Sequence, residues 1–116
     1  MALPRLDELE TSAELERMVE KAREASDFLK ALSHESRLLI LCILAEGEKS
    51  VTELEQILGE RQSTVSQQLA RLRLDGMVTT RRDGKTIYYS LANDDVRTIL
   101  TAIYDVFCQP RRLKRR

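Results

Sequence analysis

The sequence predicts a mainly α fold with a β-hairpin wing, a winged helix-turn-helix whose elements run α-α-α-α-β-β-α. Three observations carry that expectation. A helical apolar period persists to Asp75, β-branched and aromatic residues replace it from Met77 to Leu91, and the helical period returns after Asn93. At 116 residues the chain has room for one core, and too little for a large cofactor-binding fold with a substrate domain.

From Ser12, apolar residues fall at Leu15, Met18, Val19, Ala22, Ala25, Leu29 and Leu32, the spacing of one helical face. Ser33 is expected to cap a second helix that runs to Glu46 and stops at Gly47. Ser50 and Glu53 have the spacing of a capping box, opening a short helix with Val51, Leu54, Ile57 and Leu58 that ends at Gly59. A fourth helix is expected from Gln62 to Asp75, with Val65, Leu69 and Leu72 inward and Gly76 just past its end. Asp83-Gly84 between two strand-like runs is the strongest short hairpin signal a sequence offers. On the second strand Tyr88 and Tyr89 alternate, so one should pack inward and the other face out. The last helix aligns Val96, Ile99, Leu100, Ile103 and Phe107, and Pro110 marks its end. This divides the chain into a flexible lead-in at 1–11, the winged domain at 12–108 and a basic tail at 109–116.

Formal charge sums to zero but is unevenly laid out. Residues 31–60 carry two basic and six acidic side chains, whereas residues 61–90 carry six basic and two acidic. A basic island in an acidic chain suits a polyanion, because phosphate contacts dominate nucleic-acid affinity. A solvated charged face has the same composition, so the placement of polar groups has to separate the two. Opposite the apolar stripe of the fourth helix stand Gln62, Ser63, Thr64, Ser66, Gln67, Gln68 and Arg71, with no acid in its N-terminal half. Gln can pair bidentately with adenine, and Ser or Thr can reach a groove edge or a phosphate. Arg81, Arg82 and Lys85 cluster at the hairpin tip, where they suit backbone phosphate or the minor groove. Double-stranded DNA is the partner this pattern predicts.

At this point the residues resemble a known family. Ala31-Leu-Ser-His-Glu-Ser-Arg-Leu38, Ser50-Val-Thr-Glu-Leu54, Gln62-Ser-Thr-Val-Ser-Gln-Gln-Leu69 and Asp83-Gly-Lys-Thr-Ile-Tyr-Tyr89 are similar to motifs of the ArsR/SmtB repressors, in the family's order. The resemblance implies a homodimer through the first and last helices, a palindromic operator and an inducer that weakens DNA binding. Metal sensors of the family carry Cys-x-Cys in the first helix of the helix-turn-helix, where this chain has Glu53-Leu-Glu55, or Asp and His pairs on a last helix that here has no His. No metal and no cofactor is therefore expected, and His34, at a helix start, reads as structural.

Two cysteines remain, and their flanks Leu38-Leu-Ile-Leu-Cys-Ile-Leu44 and Tyr104-Asp-Val-Phe-Cys108 resemble the BigR/SqrR group of that family. Carried over, the resemblance implies that Cys42 and Cys108 are a sensing dithiol, that the reduced protein binds operator, and that reactive sulfur species release it. Chemistry adds an order of reaction. A basic setting favours the thiolate and apolar burial disfavours it, so Cys108, beside Arg111 and Arg112, should react before Cys42. A peroxide sensor closing a direct disulfide and a thiophilic-metal sensor with nonstandard cysteines remain alternatives. A lone cysteine in an apolar run is ordinarily a small core residue, and only the pair suggests more.

An enzyme is not expected: the sequence lacks Gly-x-Ser-x-Gly, His-Glu-x-x-His and a phosphate-binding Gly loop. The apolar run Leu38–Ala45 falls short of the about 20 residues of a membrane span, and Pro4 and Arg5 interrupt any secretory apolar region, so a cytoplasmic, non-membrane protein is expected.

Overall fold

A computed structural model describes residues 12–108; the lead-in and basic tail lie outside the described residues. The elements are α1 (Ser12–Leu32), α2 (Glu35–Leu44), β1 (Lys49–Ser50), α3 (Val51–Leu58), α4 (Gln62–Leu74), β2 (Val78–Asp83), β3 (Thr86–Leu91) and α5 (Asp94–Phe107). The expected order holds, with the strand β1 added. It pairs antiparallel with β3, Lys49 opposite Tyr89 and Ser50 opposite Tyr88, giving a three-stranded sheet ordered β1-β3-β2. Two residues are too few to leave a period-2 pattern, so β1 has no signature in the sequence.

Local chemistry fixes the boundaries. Ser50 Oγ accepts from the Glu53 N–H at 3.2 Å and the Ser50 N–H donates to Glu53 Oε1 at 3.0 Å, the expected capping box. The cap of α2 is His34 instead of Ser33. His34 Nδ1 accepts from the Ser36 N–H at 3.2 Å, while the Ser33 hydroxyl turns back to donate to the Lys30 carbonyl at 2.7 Å. Helix α4 ends in a Schellman motif: the Met77 N–H donates to the Leu72 carbonyl at 2.9 Å and the Gly76 N–H to that of Arg73 at 3.1 Å. The wing turns at Gly84-Lys85, one residue later than Asp83-Gly84, because Asp83 still pairs with Thr86. Only Gly84 has a positive φ there, +64°, which suits a two-residue turn with Gly first.

The core forms where these elements meet. Ile40, Leu41, Leu54, Val65, Leu69 and Leu72 are fully buried, so α2, α3 and the inward stripe of α4 share one interior with Met77, Val78, Val96 and Leu100. Each such aliphatic side chain contributes about 1.5–3 kcal/mol by leaving water. Tyr89 packs against this core and Tyr88 lies on the wing beneath Arg81.

The long apolar stripe expected on α1 is not buried. Phe28, Ala31 and Leu32 meet the core, but Leu15, Val19 and Leu29 are about half exposed (49%, 47% and 59%). On α5, Val96 and Leu100 are inside, whereas Ile99 and Phe107 face out. Only the C-terminal end of α1, from Phe28, and the stretch of α5 from Val96 to Ile103 reach the core of the protomer. Its radius of gyration is 17.4 Å, against about 13 Å for a compact domain near this size.

Truncating Leu54, which joins α3 to this interior, should destabilise the protein by about 3 kcal/mol. Urea denaturation of Leu54→Ala measures it, and a loss below about 1 kcal/mol would mean that α3 is not anchored as described.

Candidate DNA interface and dithiol site

The outer face of α4 divides in two. Gln62, Ser63, Ser66, Gln67 and Arg71 are exposed, Thr64 is half-buried at the N-terminal end, and none of these except Arg71 makes a side-chain bond among the described residues. Arg71 Nε donates to Asp75 Oδ2 at 3.0 Å, an ion pair one turn apart. Gln68 differs. It is half-buried, and its Oε1 accepts from Arg37 Nη1 at 3.2 Å, which turns its acceptor into the protein.

The wing divides likewise. Arg82 and Lys85 are exposed with no ion pair among the described residues, ready for an external anion. Arg81 is held by Glu48: its Nε lies 2.9 Å from Oε2 and 3.0 Å from Oε1, and its guanidinium stacks 4.7 Å over the Tyr88 ring. The hydrogen bond from Arg81 holds the Glu48 carboxyl below the usual carboxylate range. Glu48 is a residue that sequence reasoning missed. It sits immediately before β1, and only the pairing of β1 with β3 brings it beside the wing.

Cys42 lies on the seam between α2 and α5, and Cys108 caps the C-terminal end of α5. Cys42 is half-buried and Cys108 exposed, and both are free. Cys42 borders a cavity of about 430 Å³ with Leu39, Ile43, Leu100, Thr101 and Tyr104. Tyr104 stands one turn before Cys108, whose N–H donates to the Tyr104 carbonyl at 2.8 Å, so the two share a face of α5. Burial first, and then the negative charge of a Cys108 thiolate, push the Cys42 thiol above its ordinary pKa. Arg111 and Arg112, invoked in the expected order of reaction, lie outside the described residues.

Among the described residues, no three His, Cys, Asp or Glu side chains gather where they could hold a metal ion, and no helix is long and apolar enough to cross a membrane. His34 is engaged at Nδ1 as the cap of α2.

A polar helix on an apolar base, set after a short capped helix and flanked by a basic hairpin, defines a winged helix-turn-helix DNA-binding regulator. Residues 34–80 match the family described as "Bacterial regulatory protein, arsR family". The chain is 48% identical over 93 residues to the biofilm growth-associated repressor of Agrobacterium fabrum, covering 80% of each chain. Among solved structures it superposes on the repressor BigR of Xylella fastidiosa with a TM-score of 0.75 at 47% identity, covering 81% of this chain and 96% of that one. Reduced HlyU of Vibrio cholerae gives 0.76 at 40% identity, with coverage of 80% and 98%. The chain belongs to the arsR family, and it is a transcriptional regulator, not an enzyme.

Two measurements test the site. Arg82→Ala should lower the slope of log affinity against log salt by about one, and Arg81→Ala by less, because Glu48 already neutralises Arg81. Equal losses would remove the distinction between the two arginines. In Cys108→Ser, the pH midpoint for alkylation of Cys42 should move down, since one of the two causes that raise it is gone. An unmoved midpoint would show that the sulfurs do not interact.

Proposed function

We propose that the protein is a homodimeric repressor that holds a palindromic operator while its thiols are reduced and releases it when reactive sulfur species bridge Cys42 and Cys108. In this reading Gln62, Ser63, Thr64, Ser66, Gln67 and Arg71 enter the major groove and Arg82 and Lys85 grip phosphate. Release would derepress genes that dispose of sulfide. The observation that carries the sulfur chemistry is the placement of two free thiols: Cys42 lines the cavity between α2 and α5, and Cys108 stands one turn beyond Tyr104, which lines the same cavity. Similarity to proteins named as repressors supports the direction of control.

A second copy is supported by the apolar surface that the protomer leaves uncovered. Leu15, Val19 and Leu29 on α1, with Tyr104, Val106 and Phe107 on α5, stay exposed. A two-fold pairing of these helices would bury them and present two copies of α4 to successive turns of the major groove.

The chemistry assigns unequal roles. Cys42 carries the raised pKa and Cys108 is open to solvent, so Cys108 is the first nucleophile. Its thiolate attacks an internal sulfur of a polysulfide, breaks an S–S bond and releases a shorter sulfide anion. Cys42 loses its proton to water, attacks the sulfur chain now carried by Cys108 and expels hydrosulfide. Two electrons pass from the dithiol to the polysulfide. Inserted sulfur relaxes the Cα separation of about 4.4–6.8 Å that a plain disulfide demands. The bridge ties a core helix to the terminal helix, biasing the dimer away from the spacing that fits DNA.

Fluorescence anisotropy of operator DNA, with the reduced protein before and after polysulfide, tests the reading. Release should accompany a mass gain of sulfur and loss of both thiols, and Cys42→Ser and Cys108→Ser should bind operator yet stay bound. Release by peroxide without added mass, or retention of arsenic after arsenite, would replace the proposed inducer. Loss of DNA binding in the untreated serine variants would make the thiols structural.

A further inference from the structure

The segment between α1 and α2 is tied to both helices and to α4. Arg37 donates from Nε to the Ala31 carbonyl at 2.8 Å and from Nη2 to the Lys30 carbonyl at 3.3 Å, closing the C-terminal end of α1. Its remaining arm, Nη1, donates to Gln68 Oε1 on α4 at 3.2 Å. One rigid guanidinium therefore bridges the end of α1 and the middle of α4, a role that suits its fixed fork of donors and that Lys does not reproduce. One residue earlier, the Ser36 hydroxyl donates to Glu60 Oε1 at 3.4 Å, reaching the turn before α4. Helix α4 needs such support, because its N-cap residue Arg61 makes no side-chain capping bond.

We infer that Arg37 and Gln68 form a brace that sets the angle of α4 on the body of the protein, making both positioning residues for operator recognition and removing Gln68 from the set that touches DNA. Gln68 lies on the half-buried flank of α4 with its acceptor occupied. The brace begins at the last turn of α1, so in the homodimer proposed above it also links the subunit interface to the DNA-reading helix; that link rests on the dimer reading, whereas the brace within one protomer does not.

The chemistry of the acceptor supplies the test. Glu at position 68 keeps an acceptor for Arg37 and makes the bond charge-assisted. At a position facing DNA, the same substitution sets a carboxylate against phosphate. Operator and non-operator DNA affinities, their salt slopes and the thermal midpoint are measured for reduced Q68L and Q68E. Q68L should lose about tenfold in operator affinity, the loss that follows when an unbraced α4 holds its docking orientation about a tenth of the time. Its non-operator affinity and salt slope should stay near those of the parent, since no phosphate contact is lost, and its thermal midpoint should fall by no more than the few degrees that one intramolecular hydrogen bond is worth. Q68E should recover most of the operator affinity, and R37K should fall with Q68L, the R37K/Q68L pair losing little beyond either alone. Operator affinity falling further in Q68E than in Q68L would overturn the brace and place Gln68 on the DNA, as would a salt slope that changes in Q68L. A drop in thermal midpoint that accounts for the whole loss would reduce the pair to fold stability. Response to polysulfide is read separately, so failure of the brace and failure of the sulfur reading remain distinct.

Discussion

Burial of α2 is the constraint on which the rest of the structure depends. Ile40, Leu41 and Leu44 lie inside the domain with almost no exposed surface, and they fix the rotation of the helix about its axis. With that rotation set, the flanking positions have no freedom. Arg37 falls beside α4 and the end of α1, and Cys42 falls on the seam with α5. One apolar stripe thus aims a guanidinium at the DNA-reading helix and a thiol at the terminal helix. The carbonyl at the C-terminal end of this helix, that of Ala45, is met by the guanidinium of Arg97 on α5, which holds the two helices together near the same seam.

Charge is sorted by pairing more than by position. The basic stretch around the wing looks uniform in one dimension, but Glu48 removes Arg81 from it and Asp75 partly neutralises Arg71. Arg82 and Lys85 are left as the wing's open cations. Paired guanidinium groups stiffen the protein surface, and unpaired ones contribute most to counterion release on DNA. The wing has both: a stacked, bidentate arginine at Arg81 and free charge at Arg82 and Lys85 beside the turn.

The dithiol reading depends on unequal environments for two chemically identical groups. Cys42 shares a cavity wall with aliphatic side chains, while Cys108 closes the last turn of α5 in solvent. Desolvation slows one thiol and leaves the other accessible, which gives a two-step bridge a defined order. A helix of the core and a helix at the edge of the protomer are the elements joined, so a short covalent change would act on the placement of the exposed apolar surface.

By itself the sequence determined the features that depend on neighbours in the chain: the helical periods, the capping box at Ser50, the left-handed glycine after α4 and the hairpin at Gly84. Each is set by bonds and dihedrals within a few residues, so the pattern and the structure are the same fact. Tertiary structure alone decided which side chains are occupied. Gln67 and Gln68 are indistinguishable as letters, yet packing points one outward and gives the other to Arg37. Nothing near Arg81 announces Glu48, and nothing in the stripe of α1 says that only its C-terminal end reaches the core. Contacts between distant segments depend on how helices rotate and cross, and those angles are fixed by the whole core at once.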